Sequence, residues 1–177
     1  KTMTVEIDLF DLGTDNFSGY LAEKSGQLLP QDVRGRYEVL QWLYWQVAGL
    51  GPMAGQAHHF RAFAPEQIPY GIKRYTDEVN RLYGVLQRRL AGREYIAGNY
   101  SIADIACWPW VVPHERQGQC LDDFPDVKRW FAAVRERPAT KRAYEKGHER
   151  SADAEAYQYL YGQTSASVER RRREHEQ

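Results

Sequence analysis

Two arginines, Arg74 and Arg81, stand two helical turns apart in the chain, with Asp77 and Glu78 between them. A guanidinium fork grips a carboxylate through two parallel N–H bonds, so either arginine could hold an acidic ligand. The same spacing allows the intrahelical pairs Arg74–Glu78 or Asp77–Arg81, each worth about 0.2–0.5 kcal/mol. The neighbouring His58–His59 pair suits no metal, because adjacent helix positions point about 100° apart. Cys107 and Cys120 lack metal-ligand or Cys-x-x-Cys spacing and read as a buried core thiol and an incidental one. No metal site is expected.

A second local signal lies at Asn99–Asp104, N-Y-S-I-A-D. Ser101 stands three residues before Asp104 at the head of the apolar run Ile105-Ala106-Cys107-Trp108. This is a capping box with Asp in the place of Glu: the hydroxyl accepts from an orphan amide, and the carboxylate accepts from the cap's own N–H. Tyr100 can pack on Ile105 as a hydrophobic staple. The helix begun here is apolar nearly all round and must be buried. Pro109, between Trp108 and Trp110, should kink or end its straight part.

The elements around these residues read as helices from about residue 33 onward. Over Val33–His59 apolar residues recur every three to four positions, and Gly49, Gly51 and Pro52 predict a kink midway. A polar turn containing Pro65 precedes a long helix from about Ile68 to Leu90, with Pro69 in its first turn and a core face of Ile72, Val79, Leu82, Leu86 and Leu90. Gly92 and Gly98 bracket the way to the capped helix. A shorter amphipathic helix spans Val127–Glu136, and Pro138 opens another. Earlier, Val5–Leu12 alternates apolar and acidic residues as a strand would.

Composition narrows the classes. With 42% hydrophobic residues, and five Trp, twelve Tyr and six Phe, a substantial core can form. Lys plus Arg and Asp plus Glu are equal at 24 each, a field that favours neither nucleic acid nor an anionic membrane. The Glu169–Glu176 run, with four consecutive arginines between acids, reads as a solvated helix end or tail. No apolar stretch is long enough to span a bilayer. A reducing, cytoplasmic setting fits the thiol usage.

The capped, buried helix resembles the core helix of glutathione transferase C-terminal domains, and the resemblance extends along much of the chain. Tyr20–Gly26 is similar to the end of the helix before that family's interdomain linker. Leu40–Phe60, Ile68–Tyr83, Asp104–Trp110, Phe124-Pro125, Arg137-Pro138-Ala139 and Leu160–Thr164 are similar to the bacterial nu-class transferases and their fungal nitrogen-regulator relatives. The resemblance implies an all-α fold, a right-handed bundle of five to six helices, carrying a short remnant of a thioredoxin-like α/β domain. The implied division is 1–30 remnant and last-helix end, 31–150 helical domain, 151–177 polar tail.

The implied activity is glutathione-dependent transfer or disulfide reduction, with glutathione as co-substrate and a small electrophile or disulfide as partner. The alternative is a non-catalytic helical dimerisation or interaction module. Asp15–Gly19 resembles the loop after the family's second strand, which offers Asn16 and Ser18 as glutathione contacts; Arg74 follows the family's I-P-Y-x-I-x-R-Y pattern and is the contact from the helical half. Met53, His59 and Phe60, with Gln56 nearby, are the expected wall of the substrate cleft. No counterpart of the family's cis-proline segment, Glu-Ser pair or thiol-activating group is found, so the chain reads as truncated or as joined across a gap. Three scattered contacts do not offset an association cost of about 4 kcal/mol or more, so glutathione binding no better than millimolar is expected. A homodimer is expected through the Trp42/Tyr44/Trp45 surface of the first long helix.

Overall fold

The computed structural model describes residues 13–151, and side chains over 18–145. The strand expected at Val5–Leu12 and the tail beyond Ser151 lie outside the described residues. Among the described residues seven α-helices follow one another: α1 Gly13–Ser25, α2 Val33–Trp45, α3 Gly51–His58, α4 Pro69–Leu90, α5 Ile102–Val111, α6 Pro125–Arg135 and α7 Pro138–Ser151. Among the described residues there is no strand, only the isolated bridges Tyr95–Gly98 and Ala97–Asn99. Since α2 and α3 are two parts of one interrupted rod, the described residues form six helical rods, α1 included, in keeping with the expected bundle of five to six helices. One expectation fails: residues 15–19 belong to α1 and not to a loop.

The interruption expected at Gly49–Pro52 is a π turn, Gln46–Leu50, closed by the Gly51 N–H on the Gln46 carbonyl. Pro52 in the first turn of α3 has no N–H to give a preceding carbonyl, and widening the helix by one residue relieves the crowding of its ring. A second π turn, His59–Phe63, ends the rod, with the Ala64 N–H on the His59 carbonyl at 2.8 Å.

Helix α5 is the hub and packs against α1, α2, α3 and α6, while α4 lies along α3 and α6. Its capping box forms as expected. Ser101 Oγ accepts from Ala103 N at 3.3 Å, and Asp104 Oδ2 accepts from Ser101 N at 3.0 Å. The chain around the cap is tied in further by the Ile102 N–H, which donates to the Leu28 carbonyl at 3.1 Å. Pro109 sits inside α5, which ends two residues later at Val111. The Tyr100 ring meets Tyr95 edge-on at 5.3 Å and carries the Arg137 guanidinium at 3.5 Å above it.

The core is continuous from α2 to α6 and includes Val39, Leu43, Leu50, Val79, Leu82, Leu86, Val111, Val127 and Trp130. At about 1.5–3 kcal/mol for each large apolar side chain taken out of water, this burial is the main stabilising term.

Candidate functional site

The start of α4 meets the end of the α3 rod through a glycine. At Gly71 a β-carbon would stand 2.8 Å from Phe60 Cε1, so only glycine lets the phenyl ring lie this close to the helix backbone. Phe60 is thereby laid against Tyr75, stacked at 5.1 Å between centroids with 24° between planes. His59 stands edge-on to Phe60 at 5.4 Å. Met53, one α3 turn and more before them, is half-buried and packed against the core. Gln56 is exposed. Of the residues expected to wall the cleft, Phe60 and His59 share one aromatic surface with Tyr75, and Met53 and Gln56 are not seen to join it.

Arg74 precedes Tyr75 on α4, and its side chain is exposed. Its Nη1 lies 3.9 Å from Glu78 Oε2, which forms the expected Arg74–Glu78 ion pair at a distance too long for a hydrogen bond. Glu78 is held more closely by Arg81, whose Nε and Nη2 donate to its two oxygens at 2.9 and 2.7 Å. That fork, with Arg81's charge and then Arg74's, holds the Glu78 carboxyl below the usual carboxylate range. The pairing of Arg81 with Asp77 is therefore corrected: Asp77 takes the Lys73 ammonium at 2.5 Å. Glu78 is thus held tightly by Arg81 and more loosely by Arg74, whose guanidinium stays half-exposed.

The N-terminal candidates lie elsewhere. Asn16 and Ser18 fall on α1, and α1 packs against α5. Ser18 is half-buried; the Asn16 side chain lies outside the described ones. Of the three expected glutathione contacts, Arg74 alone lies on α4, the helix that carries Tyr75. Among the described residues no group of three or more His, Cys, Asp or Glu side chains is placed to hold a metal.

Sequence reading missed the residues that fix the far side of this region. After α5, Gln117 and Gln119 turn inward although both are polar and lie in a loop. Gln117 Oε1 accepts from the buried Tyr83 hydroxyl at 3.0 Å, and its Nε2 donates to the Trp110 carbonyl at 2.7 Å. Gln119 Oε1 accepts from Asn80 at 3.0 Å, while its Nε2 donates to the Thr76 carbonyl at 3.0 Å. Burial pushes the Tyr83 hydroxyl up, so it stays a donor. These bonds clamp the 112–120 segment onto α4. The available signal was two glutamines flanking one glycine directly after an apolar helix.

A groove of about 680 Å³ opens on another side, between the end of α5, α6 and α7, with Trp108, His114, Phe131 and Tyr144 in its lining. It contains none of the expected cleft residues.

The family sequence pattern described as "Glutathione S-transferase, C-terminal domain" matches residues 50–138. The chain is 54% identical over 136 residues to the disulfide-bond oxidoreductase YfcG of Escherichia coli, covering 75% of this chain and 63% of that protein. It is 31% identical over 183 residues to the transcriptional regulator URE2 of Saccharomyces cerevisiae, covering 76% of this chain and 52% of the regulator. A crystal structure of a glutathione transferase from Burkholderia graminis, described with two glutathione molecules per subunit, superimposes with a TM-score of 0.69 at 45% identity, covering 73% of this chain and 57% of that one. The chain thus spans somewhat over half the length of the relatives that it matches. On the capped α5, the α3–α4 contact at Gly71 and this shared sequence, the chain belongs to the glutathione S-transferase family, through that family's C-terminal helical domain.

Proposed function

We propose that this chain supplies the helical half of a glutathione-dependent disulfide reductase or transferase. The observation that carries the reading is the half-exposed Arg74 guanidinium on α4, one residue before the Tyr75 that stacks on Phe60, with Glu78 held chiefly by Arg81. A carboxylate of glutathione would take both N–H bonds of Arg74, and an apolar electrophile or disulfide would lie on the aromatic rings. The relatives support this: YfcG is a disulfide-bond oxidoreductase, and the Burkholderia structure holds glutathione. Asn16 and Ser18 would add contacts from the N-terminal side. The thiol-activating group would come from the thioredoxin-like half of such an enzyme, where donors favour the thiolate. Both cysteines are free, which suits a reducing cytoplasm, and no described helix is long and apolar enough to cross a membrane.

A homodimer belongs to the same proposal. Val33, Tyr37, Tyr44 and Val47 recur along α2 and the following turn at helical spacing, and all four are exposed. Trp42 and Trp45, expected outside, are half-buried: they meet edge-on at 5.2 Å, and Arg89 covers Trp42 at 5.1 Å. The apolar stripe left for a second copy is the Tyr37–Tyr44 face. That stripe also favours the second reading, a helical dimerisation module without catalysis. Chromatography on immobilised glutathione separates the two. Weak retardation on densely immobilised glutathione, abolished by free glutathione and lost in Arg74→Gln, is expected for the enzyme's helical half; elution of the unsubstituted chain at the void volume points to the module.

A further inference from the structure

The groove between the end of α5, α6 and α7 shares no residue with the Phe60–Tyr75 surface, and its walls are aromatic. Trp108 and Phe131 stack at 5.2 Å with 16° between planes. The pair is locked by the Trp108 indole N–H, which donates to the Phe131 carbonyl at 3.0 Å. Tyr144 of α7 stands edge-on to Trp108 at 5.2 Å, and His114 edge-on to Phe131 at 6.0 Å. The stacked pair is thus bounded by two perpendicular rings. Tyr144 is nevertheless 38% exposed and Phe131 only half-buried, so aromatic surface faces a groove of about 680 Å³.

Charge decides which occupant suits this groove. Lys141 donates to Glu136 at 2.5 Å, which leaves Glu115, Arg116, Arg135 and Glu145 on the rim, two charges of each sign. Such a rim has no net field to draw a charged ligand, and the rings favour an uncharged, apolar one. The chain itself contains a matching stretch. Beyond the end of α7 at Ser151, residues 156–168 carry no charge, and Tyr157, Tyr159, Leu160 and Tyr161 fall within five positions. Tyr157, Leu160 and Tyr161 stand at i, i+3 and i+4, the spacing that gathers side chains on one face of a helical turn.

The reach agrees. Tyr144 lies seven residues before Ser151, about 10 Å back along the α7 axis. The six residues from Ser151 to Tyr157 span up to about 20 Å when extended. The segment can turn back beside α7 and arrive at the groove without unwinding the helix.

We propose that this groove is the dock for the chain's own 156–168 segment, with Tyr157, Leu160 and Tyr161 seated against Phe131 and Tyr144. The docked segment would cover the Tyr144 ring and hold α7 against α5 and α6. The Phe60–Tyr75 surface takes no part, so the dock stands whether or not the chain binds glutathione.

The test uses the full chain enriched with 15N-tryptophan and carrying a nitroxide on Gln158→Cys. Cys120→Ser removes the exposed thiol, and the buried Cys107 stays. The Trp108 indole signal is assigned by its loss in Trp108→Phe. With the segment docked, the nitroxide should remove more than about half of that signal, and reducing the label with ascorbate should restore it. Tyr157→Ser, Leu160→Ser and Tyr161→Ser together should return most of the intensity with the label still oxidised, because the tether remains and the anchors do not. Full intensity beside the oxidised label, or an equal loss with and without the three serines, would overturn the proposal. So would a loss seen when enriched chain without label is mixed with labelled, unenriched chain, which assigns the groove to the tail of a second copy.

Discussion

The indole N–H of Trp130 on α6 donates to Asp104 Oδ1 at 2.8 Å, and the same oxygen accepts the Ile96 amide at 3.0 Å. Asp104 therefore does more than cap α5. With Oδ2 taken by Ser101, one fully buried carboxylate ties the cap, the 95–99 turn and α6 together. Asp104→Ala would strand three buried N–H donors, each costing about 1–3 kcal/mol, so a loss of about 3 kcal/mol or more is expected. Urea unfolding measures it; a variant as stable as the parent would remove Asp104 from this role.

The pH dependence of the same residue has a definite sign. Burial raises the Asp104 pKa above its usual 3.8 and outweighs the donors that lower it, from Ile96, Trp130 and Ser101. Above pH 3.8 the unfolded state gives up this proton first, so the folded state binds more protons and loses stability as pH rises to the folded pKa. Asp104→Asn removes the ionisation. Its destabilisation relative to the parent should be largest near pH 4 and shrink toward neutrality, as read by urea midpoints across that range.

Gly71→Ala tests how the cleft wall is made. The added methyl would overlap Phe60 and push the ring off Tyr75. Overpacking of this kind costs about 1–3 kcal/mol. A lower melting temperature should come with reduced retention on immobilised glutathione, and Gly84→Ala, where the nearest side-chain atom is 3.6 Å away, should show neither effect.

Charge placed on the α2 stripe tests assembly. Tyr37→Glu with Tyr44→Glu would bury like charges across a self-complementary interface and should convert a dimer to a monomer at micromolar concentration. Light scattering reads the mass. A parent already monomeric at that concentration would dispose of the dimer.

What could be read beforehand was local. The Ser101–Asp104 cap, the extent of α4 and the break near Pro52 depend on residues within a few positions of one another, and all three appear as expected. Trp130 and Ile96 could not be named as Asp104 partners, since nothing in the sequence pairs an aspartate with an indole 26 residues away. The two glutamines of the 112–120 turn look like surface residues until Tyr83 and Thr76 are seen opposite them. Trp42 and Trp45 share a stretch of helix with Tyr44, and hydrophobicity alone cannot say which aromatic faces out; Arg89, paired with Glu38 and lying over Trp42, settles it. Likeness to relatives puts Asn16 and Ser18 in a loop, whereas the chain there is helical.

The π turn at Gln46–Leu50 acts as a phase shifter. One extra residue in a helix rotates everything after it by about 100° relative to everything before. The stripe that α2 turns outward at Tyr37 and Tyr44 is thereby uncoupled from the face that α3 turns toward α4 at Ala54 and Ala57. Removing one residue from this turn would bring the two halves back into step, and would swing Phe60 away from Gly71 while leaving α2 where it is. A single inserted position thus lets one rod serve two surfaces whose directions a regular helix could not satisfy together.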